Sequence, residues 1–372
     1  MTVPATAALR TLLAHAGEVH SEAQLFVRAG GIGAGVFAFL YEKEDFASLF
    51  LAGRHLWADD LAYLTAACKR LGWKTVTKES TGAKAAEQEL RKALEPGAPV
   101  IAWVDSAHLP WRAMPPFYSG GGYHVVTVHE IRGEVALVGD VAATPVELSL
   151  RELAAARGRI VKFRNRLLRL DGRAGRPPEA EAVLADAIRS CVTTLTRAKM
   201  ANFRLDAFEE LADRMVATSG KESWEVMFPP GHRLWGALTS LYEYVEHYGT
   251  GGGLCRAIFA EGLKETGQAA PARAYAALAR AWSEAAGAAL PDEVAPCREA
   301  RELIARKAEL LRSGAPAAEV RSCWERLDKL AKEARKKFPL SAATAAELRA
   351  ALAARIRAIH ADEVAALALL GR

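Results

Sequence analysis

The chain of 372 residues is long enough for two or three domains, each with a hydrophobic core of its own. Hydrophobic residues make up 51% and charged residues 25%, which is typical of a globular protein and excludes a largely disordered chain. The net charge of +5 comes from 49 basic and 44 acidic residues, so composition gives no reason to expect nucleic-acid binding. No apolar run is long enough for a membrane span and no secretory signal precedes the first helix, which predicts a cytoplasmic protein with no membrane partner.

The cysteines show neither a metal-binding nor a disulfide pattern. They are widely spaced, no two form a CxxC pair, and their number is odd. A zinc site and a disulfide framework are therefore both disfavoured, and we expect no metal or other cofactor. The cysteines are Cys68, Cys191, Cys255, Cys297 and Cys323.

Residues 1–171 mix helical and strand patterns. Near the start, Leu9, Leu12 and Leu13 recur at helical spacing, which predicts a first helix. Apolar runs of β-rich composition predict strands further along, namely PVIAWV, YHVVTV, VALVG and RIVKF. This part of the chain is therefore predicted to be an α+β domain.

Beyond residue 171 the patterns are almost purely helical. GRAGRPP, residues 172–178, is typical of a linker. Residues 179–290 contain several amphipathic segments, which predict an all-helical domain. Residues 291–372 are rich in Ala, Glu, Arg and Lys and break at SGAP and FPLS, which predicts an extension made of two long helices in a hairpin.

The stretch SGGGYHVVTVHEIRGEVALVGD, residues 119–140, contains two strand-like runs separated by a hairpin signal. If the turn centres near Arg132, His124 lies opposite Asp140, with their Cβ atoms about 5 Å apart. A carboxylate at that distance can hold an imidazole in one tautomer and stabilise its cationic form. The two residues are therefore candidates for the histidine and aspartate of a nucleophile–His–Asp set. The structural alternative is a strand-edge histidine beside a turn aspartate.

Two other features are candidates for a site. The glycine cluster that begins at Gly30 does not fit GxGxxG, because Val36 occupies the last position, so a tight-packing turn is favoured over a nucleotide-binding loop. Asp105 ends the apolar run PVIAWV, where its side chain either faces a cleft or caps a turn.

Several segments together resemble a known family. In order, they are HSEAQLFVRAGGIGAGVFAFLY, LFLAGRHLW, PVIAWVDSAHLPW, GGGYHVVTVHEI and VALVGD. They resemble the N-terminal domain of the butirosin-biosynthesis acyltransferase (BtrH-like) family. NFRLDAFEELADRM and YGTGGGLCRAIFAEGLKE are similar to the helical domain of unknown function that often follows it. The resemblance covers roughly residues 1–290.

The resemblance implies a papain-like (cysteine-peptidase-like) N-terminal domain followed by an all-helical domain. In such a domain a Cys–His–Asp set forms an acyl-thioester, and the acyl group passes from an acyl carrier protein to a small-molecule amine. His124 and Asp140 take the histidine and aspartate positions, and Gly31 and Gly33 border the active-site cleft. The family's cysteine lies at the start of the first helix, where this sequence has Pro4.

The substitution at Pro4 removes the expected nucleophile. A helix N-terminus stabilises a thiolate, whereas proline preserves the helix start and offers no nucleophile. Thr2 and Thr6 flank the position, but an unactivated hydroxyl is a much weaker nucleophile than a thiolate. Cys68 lies on the apolar face of a helical segment and is predicted to be a core residue.

Three functions are compatible with these observations. The first is an acyl- or aminoacyltransferase of secondary metabolism, the second an inactive relative that binds a carrier protein or metabolite, and the third a papain-like peptidase. Residues 157–176 carry eight basic side chains against Asp171 as their only acid. This basic run could steer an acidic carrier protein, although a solvated basic face is the structural alternative. The sequence gives no indication of oligomeric state.

Overall fold

The computed structural model describes residues 1–370. Its helices are α1 (Pro4–His15), α2 (Glu22–Arg28), α3 (Asp60–Arg70), α4 (Ala83–Leu94), α5 (Leu150–Gly158), α6 (Ala180–Arg197), α7 (Asp206–Val216), α8 (Trp224–Met227), α9 (His232–Glu246), α10 (Arg256–Glu265), α11 (Ala269–Ala289), α12 (Ala295–Ser313), α13 (Ala317–Lys336) and α14 (Ala342–Leu370). Its strands are β1 (Ile32–Tyr41), β2 (Phe46–Arg54), β3 (Trp73–Lys78), β4 (Val100–Asp105), β5 (Tyr123–Arg132), β6 (Val135–Gly139), β7 (Val146–Ser149) and β8 (Leu167–Arg173).

The chain forms two compact units that interleave along the sequence. The first unit consists of residues 1–25, 60–183 and 307–324. The second consists of residues 26–59, 184–306 and 325–370. The hairpin of β1 and β2 therefore belongs to the second unit, together with most of the helices, although it precedes the main sheet in sequence.

The first unit is built on a six-stranded antiparallel sheet in the order β3-β8-β4-β5-β6-β7. Every residue of β4 is buried, as expected of an uninterrupted apolar run. The predicted strands PVIAWV, YHVVTV and VALVG are confirmed. The predicted strand RIVKF is wrong, because Val161–Phe163 forms a 3-10 turn that ends with Arg164 in the left-handed region.

The main core of the first unit lies between one face of this sheet and the helices α4 and α5. Alternate residues of the strands point to that face, as the pleat requires. A capping box of Ser149 and Glu152 fixes the start of α5, which directs its apolar side toward the sheet. The buried residues of this core are Leu90, Ala93, Val100, Ala102, Val104, Leu109, Val126, Val128, Ala136, Val138, Leu148, Leu150, Leu153, Ala156 and Leu167.

The second unit combines the β1–β2 hairpin with helices that pack around α11. This helix contacts α9, α10 and α14, and β2 packs against α9. The predicted two-helix extension over 291–372 is wrong, because that segment folds as three helices, α12, α13 and α14. The helices are interrupted at both predicted positions, SGAP and FPLS. Within residues 1–370, no helix has the length and apolar character of a membrane span.

Candidate active site

The hairpin of β5 and β6 brings His124 and Asp140 to one face of the sheet. The pairs nearest the turn set a register that, if continued, would place Asp140 opposite Thr127, whose side chain points to the other face. A β-bulge beside Glu130 shifts the register by one residue. Because the side-chain period of a strand is two, this single extra residue is what turns Asp140 to the side of His124.

The predicted direct opposition of His124 and Asp140 is wrong by two positions. The observed pairs place Asp140 level with Val126, so it lies diagonally across from the histidine. A diagonal pair still lies within reach of long side chains. The Nε2 atom of His124 and the Oδ1 atom of Asp140 are 2.9 Å apart, which confirms that the two side chains meet.

Two residues that the sequence did not single out complete the cluster. Arg112 donates from Nε to Oδ2 of Asp140 at 2.9 Å and from Nη2 to Oδ1 at 3.0 Å. Trp111 donates from Nε1 to Oδ2 at 3.0 Å. The side chains of Arg112, Asp140 and His124 are 9%, 4% and 5% exposed, so the ion pair lies out of bulk water.

The segment that carries Arg112 is held by Trp324, which lies a little over two turns into α13. The indole nitrogen of Trp324 donates to the backbone carbonyl of Arg112 at 3.1 Å. The Lys307 ammonium lies 3.4 Å from the centroid of the Trp324 ring, and Tyr118 packs against the same ring. Residues 307–324 thus support the site. No sequence signal predicts this support, because Trp324 and Arg112 are 212 positions apart.

The Nε2 atom of His124 has two possible partners. It lies 3.0 Å from Nη2 of Arg112 as well as 2.9 Å from Asp140. In one tautomer Nε2 carries the proton and donates to Asp140, and in the other it accepts from Arg112. Nδ1 forms no hydrogen bond with the described residues, so in the first tautomer it presents a free lone pair.

Burial and charge set the protonation states of the pair. Burial lowers the pKa of His124 and the Arg112 cation lowers it further, against the opposing effect of Asp140. Burial alone would raise the pKa of Asp140, but Arg112, His124 and the hydrogen bonds hold it well below its usual range. The pair therefore consists of a carboxylate and a neutral imidazole near pH 7.

Asp105 caps a turn. It is fully buried, its Oδ1 accepts from the backbone of Ala107 at 3.0 Å and its Oδ2 accepts from Gly120 at 2.6 Å. Gly122 fits against this turn only because it lacks a side chain, since a Cβ there would lie 2.5 Å from Oδ1 of Asp105. The glycine run before His124 thus folds onto the end of β4 and positions the start of β5. The expected role of Asp105 in lining a cleft stays a prediction.

Gly31 and Gly33 lie in the second unit, at sites of close packing. A Cβ on Gly31 would lie 2.4 Å from the ring of Phe259, and a Cβ on Gly33 would lie 2.4 Å from the carbonyl oxygen of Arg54. Both contacts agree with the predicted tight-packing turn. Their role as residues that border a cleft stays a prediction.

The first helix begins at Pro4, as predicted, and Val3 provides no side-chain cap. The amide groups of Thr2 and Val3 donate instead to the Glu22 carboxylate, at 2.8–3.1 Å. Thr6 is fully buried and its hydroxyl lies 2.9 Å from that of Tyr63. The amino group of Met1 donates to the carbonyl of Val141 at 2.9 Å, which places the start of the chain beside the residue that follows Asp140.

The alternative cysteines are poorly suited to nucleophilic attack. Cys68 is fully buried, as predicted, and burial, assisted by Glu18, raises the pKa of its thiol to about 12. Cys255 is also buried and lies in the second unit. Within residues 1–370, no group of three or more His, Cys, Asp or Glu side chains could hold a metal ion.

Most of the basic run over residues 157–176 is paired with carboxylates. Arg164 and Arg166 both pair with Glu79, at 3.3 and 2.8 Å. Arg169, Arg173 and Arg176 pair with Asp171, Glu18 and Glu179. Arg159 and Lys162 differ, since Arg159 donates to the Ser119 hydroxyl and Lys162 lies over the ring of Tyr123.

Two family models match the chain in tandem. Residues 4–141 match butirosin biosynthesis protein H, N-terminal, and residues 149–309 match the domain of unknown function DUF4872. The order and positions of the two matches confirm the predicted resemblance. No curated protein is significantly similar to the chain.

Proposed function

We propose that the chain transfers an acyl group from a carrier-protein thioester directly to a small-molecule amine, without an acyl-enzyme, with His124 as the general base. One observation carries the proposal: Asp140 holds Nε2 of His124 at 2.9 Å, while Nδ1 makes no hydrogen bond with any residue that the structure describes. A base needs this combination of a fixed ring and an available lone pair. The match to the butirosin biosynthesis protein H domain supports an acyltransferase-like role.

A papain-like architecture for the first unit is part of the proposal. It is supported by the order of the elements, in which α1 is followed by an antiparallel sheet with the histidine on β5 and the aspartate directly after β6. Helix α1 contacts β4 and β5. The start of the chain also lies beside Val141, close to the aspartate.

The proposed reaction needs no covalent enzyme intermediate. Nδ1 of His124 takes a proton from the amine as its nitrogen attacks the thioester carbonyl. The tetrahedral intermediate then collapses, the C–S bond breaks and the leaving thiolate takes the proton from the imidazolium. The products are an amide and the carrier thiol. The rate enhancement comes from proximity of the two substrates and from proton removal by the base. A cysteine nucleophile would add a covalent intermediate to these two effects.

The test is a transfer assay with an acyl-carrier thioester and candidate amines. Wild type is expected to form amide, and His124→Ala to lose product formation by about 100-fold, the typical contribution of a general base. His15→Ala is the matched control, because His15 is exposed at the end of α1. Equal activity of wild type and His124→Ala would overturn the proposal.

A second candidate, an inactive relative that binds a carrier protein or metabolite, is favoured by Arg112. Its cation already neutralises Asp140, so the carboxylate has less capacity to stabilise an imidazolium. The ¹⁵N chemical shifts of His124 distinguish the candidates. A protonated Nε2 is required for catalysis through Nδ1, whereas an unprotonated Nε2 that accepts from Arg112 supports the binding protein.

The proposed carrier-protein contact involves Arg159 and Lys162. Apart from the buried Arg157, they are the members of the basic run whose described contacts are with neutral groups, and Lys162 lies 3.7 Å from the ring centroid of Tyr123, next to His124. Reversal of both charges is expected to weaken carrier-protein binding and its dependence on ionic strength. Arg169→Glu is the control, because Arg169 is paired with Asp171. Equal losses in both variants would contradict this assignment.

A further inference from the structure

The strand β1 of the second unit carries no charged side chain. In its sequence, IGAGVFAFLY, Tyr41 is the only residue with a polar group in the side chain. Within residues 1–370, β1 pairs with β2 alone, in a two-stranded antiparallel ribbon. Natural edge strands are usually protected by charged residues, proline or a bulge, because an unprotected edge pairs readily with another strand.

The second half of β1 has free backbone groups on its outer edge. Asn202 donates from Nδ2 to the carbonyl of Val36 at 2.7 Å, so this carbonyl points away from β2. In an antiparallel pair every second residue points its N–H and C=O outward, and the register is regular from Gly35 to Tyr41. Ala38 and Leu40 therefore also point outward, and no residue that the structure describes bonds to their backbone groups.

The same half of the ribbon exposes aromatic rings on one face. Phe39 and Tyr41 of β1 are 46% and 48% exposed, and Phe46, the partner of Tyr41 on β2, is 51% exposed. Strand periodicity puts the three rings on one face. The rings of Tyr41 and Phe46 stack with centroids 5.8 Å apart. An apolar strip thus lies beside the free edge.

The end of the ribbon is fixed to the start of α9. Nε2 of His232 lies 2.6 Å from the carbonyl oxygen of Asp45, the residue just before β2. Nε of Arg233 lies 3.3 Å from the carboxylate of the same residue. A strand that is already held in place loses little conformational entropy when it pairs, which favours binding at its edge.

The size and composition of this surface suit a second copy of the chain. Three rings that are about half exposed present roughly 300 Å² of apolar area, below the roughly 800 Å² per partner of a standard stable interface. The area therefore fits a weak, reversible contact. An uncharged edge selects no oppositely charged partner and is complementary to itself, as a two-fold dimer requires.

We propose that two copies of the chain pair through the outer edges of β1, about a two-fold axis at Phe39. Ala38 of one copy then exchanges two hydrogen bonds with Leu40 of the other, and the same pair repeats across the axis. The two Phe39 rings lie opposite one another and join the two aromatic strips. The contact uses no residue of the His124 cluster and does not depend on the proposed acyl transfer.

Sedimentation velocity of the full chain over a range of concentrations tests the dimer. Wild type is expected to show a reversible monomer–dimer equilibrium with a dissociation constant on the order of micromolar or weaker. Phe39→Lys is expected to weaken it by about 10-fold or more, since like charges directly opposite one another destabilise a strand pair.

Val364→Lys is the matched control, because it adds the same charge at a side chain that is 51% exposed on α14. It is expected to dimerise like wild type. A wild type that stays monomeric up to about 1 mM would overturn the proposal. Equal weakening by the two substitutions would also overturn it.

Disulfide cross-linking tests the register. Phe39→Cys places two thiols on opposite strands with Cα atoms about 4.5 Å apart, so mild oxidation is expected to yield a covalent dimer. Tyr41→Cys is the control, because its thiols would lie about 13 Å apart along the strands. The five native cysteines are buried. No cross-link in Phe39→Cys, or equal cross-linking of both variants, would refute the pairing.

Discussion

The Arg112–Asp140 pair of the first unit and the Arg256–Glu363 pair of the second are both buried arginine–carboxylate pairs. In the second unit, Nε of Arg256 lies 2.5 Å from Oε1 of Glu363, and both side chains are completely buried. Trp282 donates to the same Oε1 at 3.1 Å, and Nη1 of Arg256 donates to backbone carbonyls. In the first unit the third partner is a histidine, which can gain and lose a proton near neutral pH.

The difference shows what separates a structural ion pair from a candidate catalytic cluster. The hydrogen-bond partners of Arg256 and Glu363 are an indole and backbone carbonyls, which do not titrate near neutral pH, so we expect this pair to stabilise the fold. Asp140 instead divides its oxygens between Arg112, Trp111 and a titratable ring. The chemistry proposed for the first unit depends on that ring.

The largest expected effect is on the second pair. Glu363→Ala leaves the Arg256 cation buried without its carboxylate, which is expected to lower the free energy of unfolding by about 4 kcal/mol. Denaturant unfolding measures the change. Asp213→Ala breaks an exposed pair with Arg357 and should leave the stability close to that of wild type. A similar stability of Glu363→Ala and wild type would show that the buried pair is not structural.

Asp140→Ala is expected to cost somewhat less, about 3 kcal/mol, because Arg112 keeps a slight exposure to solvent. Unlike Glu363→Ala, it should also abolish acyl transfer, since His124 loses the group that fixes its tautomer. The assay is to be run at a temperature where both variants are folded. Full activity of Asp140→Ala would remove the distinction between the two pairs.

His124 is expected to make stability depend on pH. Its pKa is lower in the folded chain than in the unfolded chain, so below about pH 6.5 the unfolded chain binds more protons and the free energy of unfolding falls. Between about pH 7.5 and pH 5.5, wild type should lose roughly 1 kcal/mol more than His124→Asn. The exposed His15→Asn should follow the wild-type curve, and a curve for His124→Asn parallel to wild type would be inconsistent with a neutral buried imidazole.

The smallest expected effect concerns Trp324. Trp324→Phe keeps the aromatic packing and removes the hydrogen bond to the carbonyl of Arg112, which is expected to cost about 1 kcal/mol or less. The ¹⁵N shifts of His124 should change with it, because Arg112 contacts the ring. Trp73→Phe, which removes a hydrogen bond to Glu18, should leave those shifts unchanged.

The sequence predicts part of this site because strand periodicity is local. Two β-rich runs and a turn are enough to bring His124 and Asp140 near one another, although the bulge beside Glu130 that decides their shared face has no signal of its own. Arg112 lies in a series of 3-10 turns between β4 and β5, where no periodicity identifies its partner. Trp324 reaches the site from 212 residues away, a contact that only tertiary packing creates.

The predicted helices and strands follow the same rule. The runs PVIAWV, YHVVTV and VALVG form β4, β5 and β6, as their β-rich composition predicts. RIVKF has a similar composition, but its last residues form a 3-10 turn that Arg164 completes in the left-handed conformation. The boundaries of the two units depend on contacts between distant segments. Residues 26–59 and 307–324 therefore join units that chain order does not suggest.

The central claim is that His124 acts directly, without an acyl-enzyme. Intact-mass spectrometry of wild type and Pro4→Cys, each incubated with an acyl-carrier thioester in the absence of amine, tests it most directly. We predict no mass increase on wild type, amide formation once the amine is added, and an acyl adduct only on Pro4→Cys. An adduct on wild type that releases its acyl group to the amine would contradict the account, and peptide mapping would identify the nucleophile.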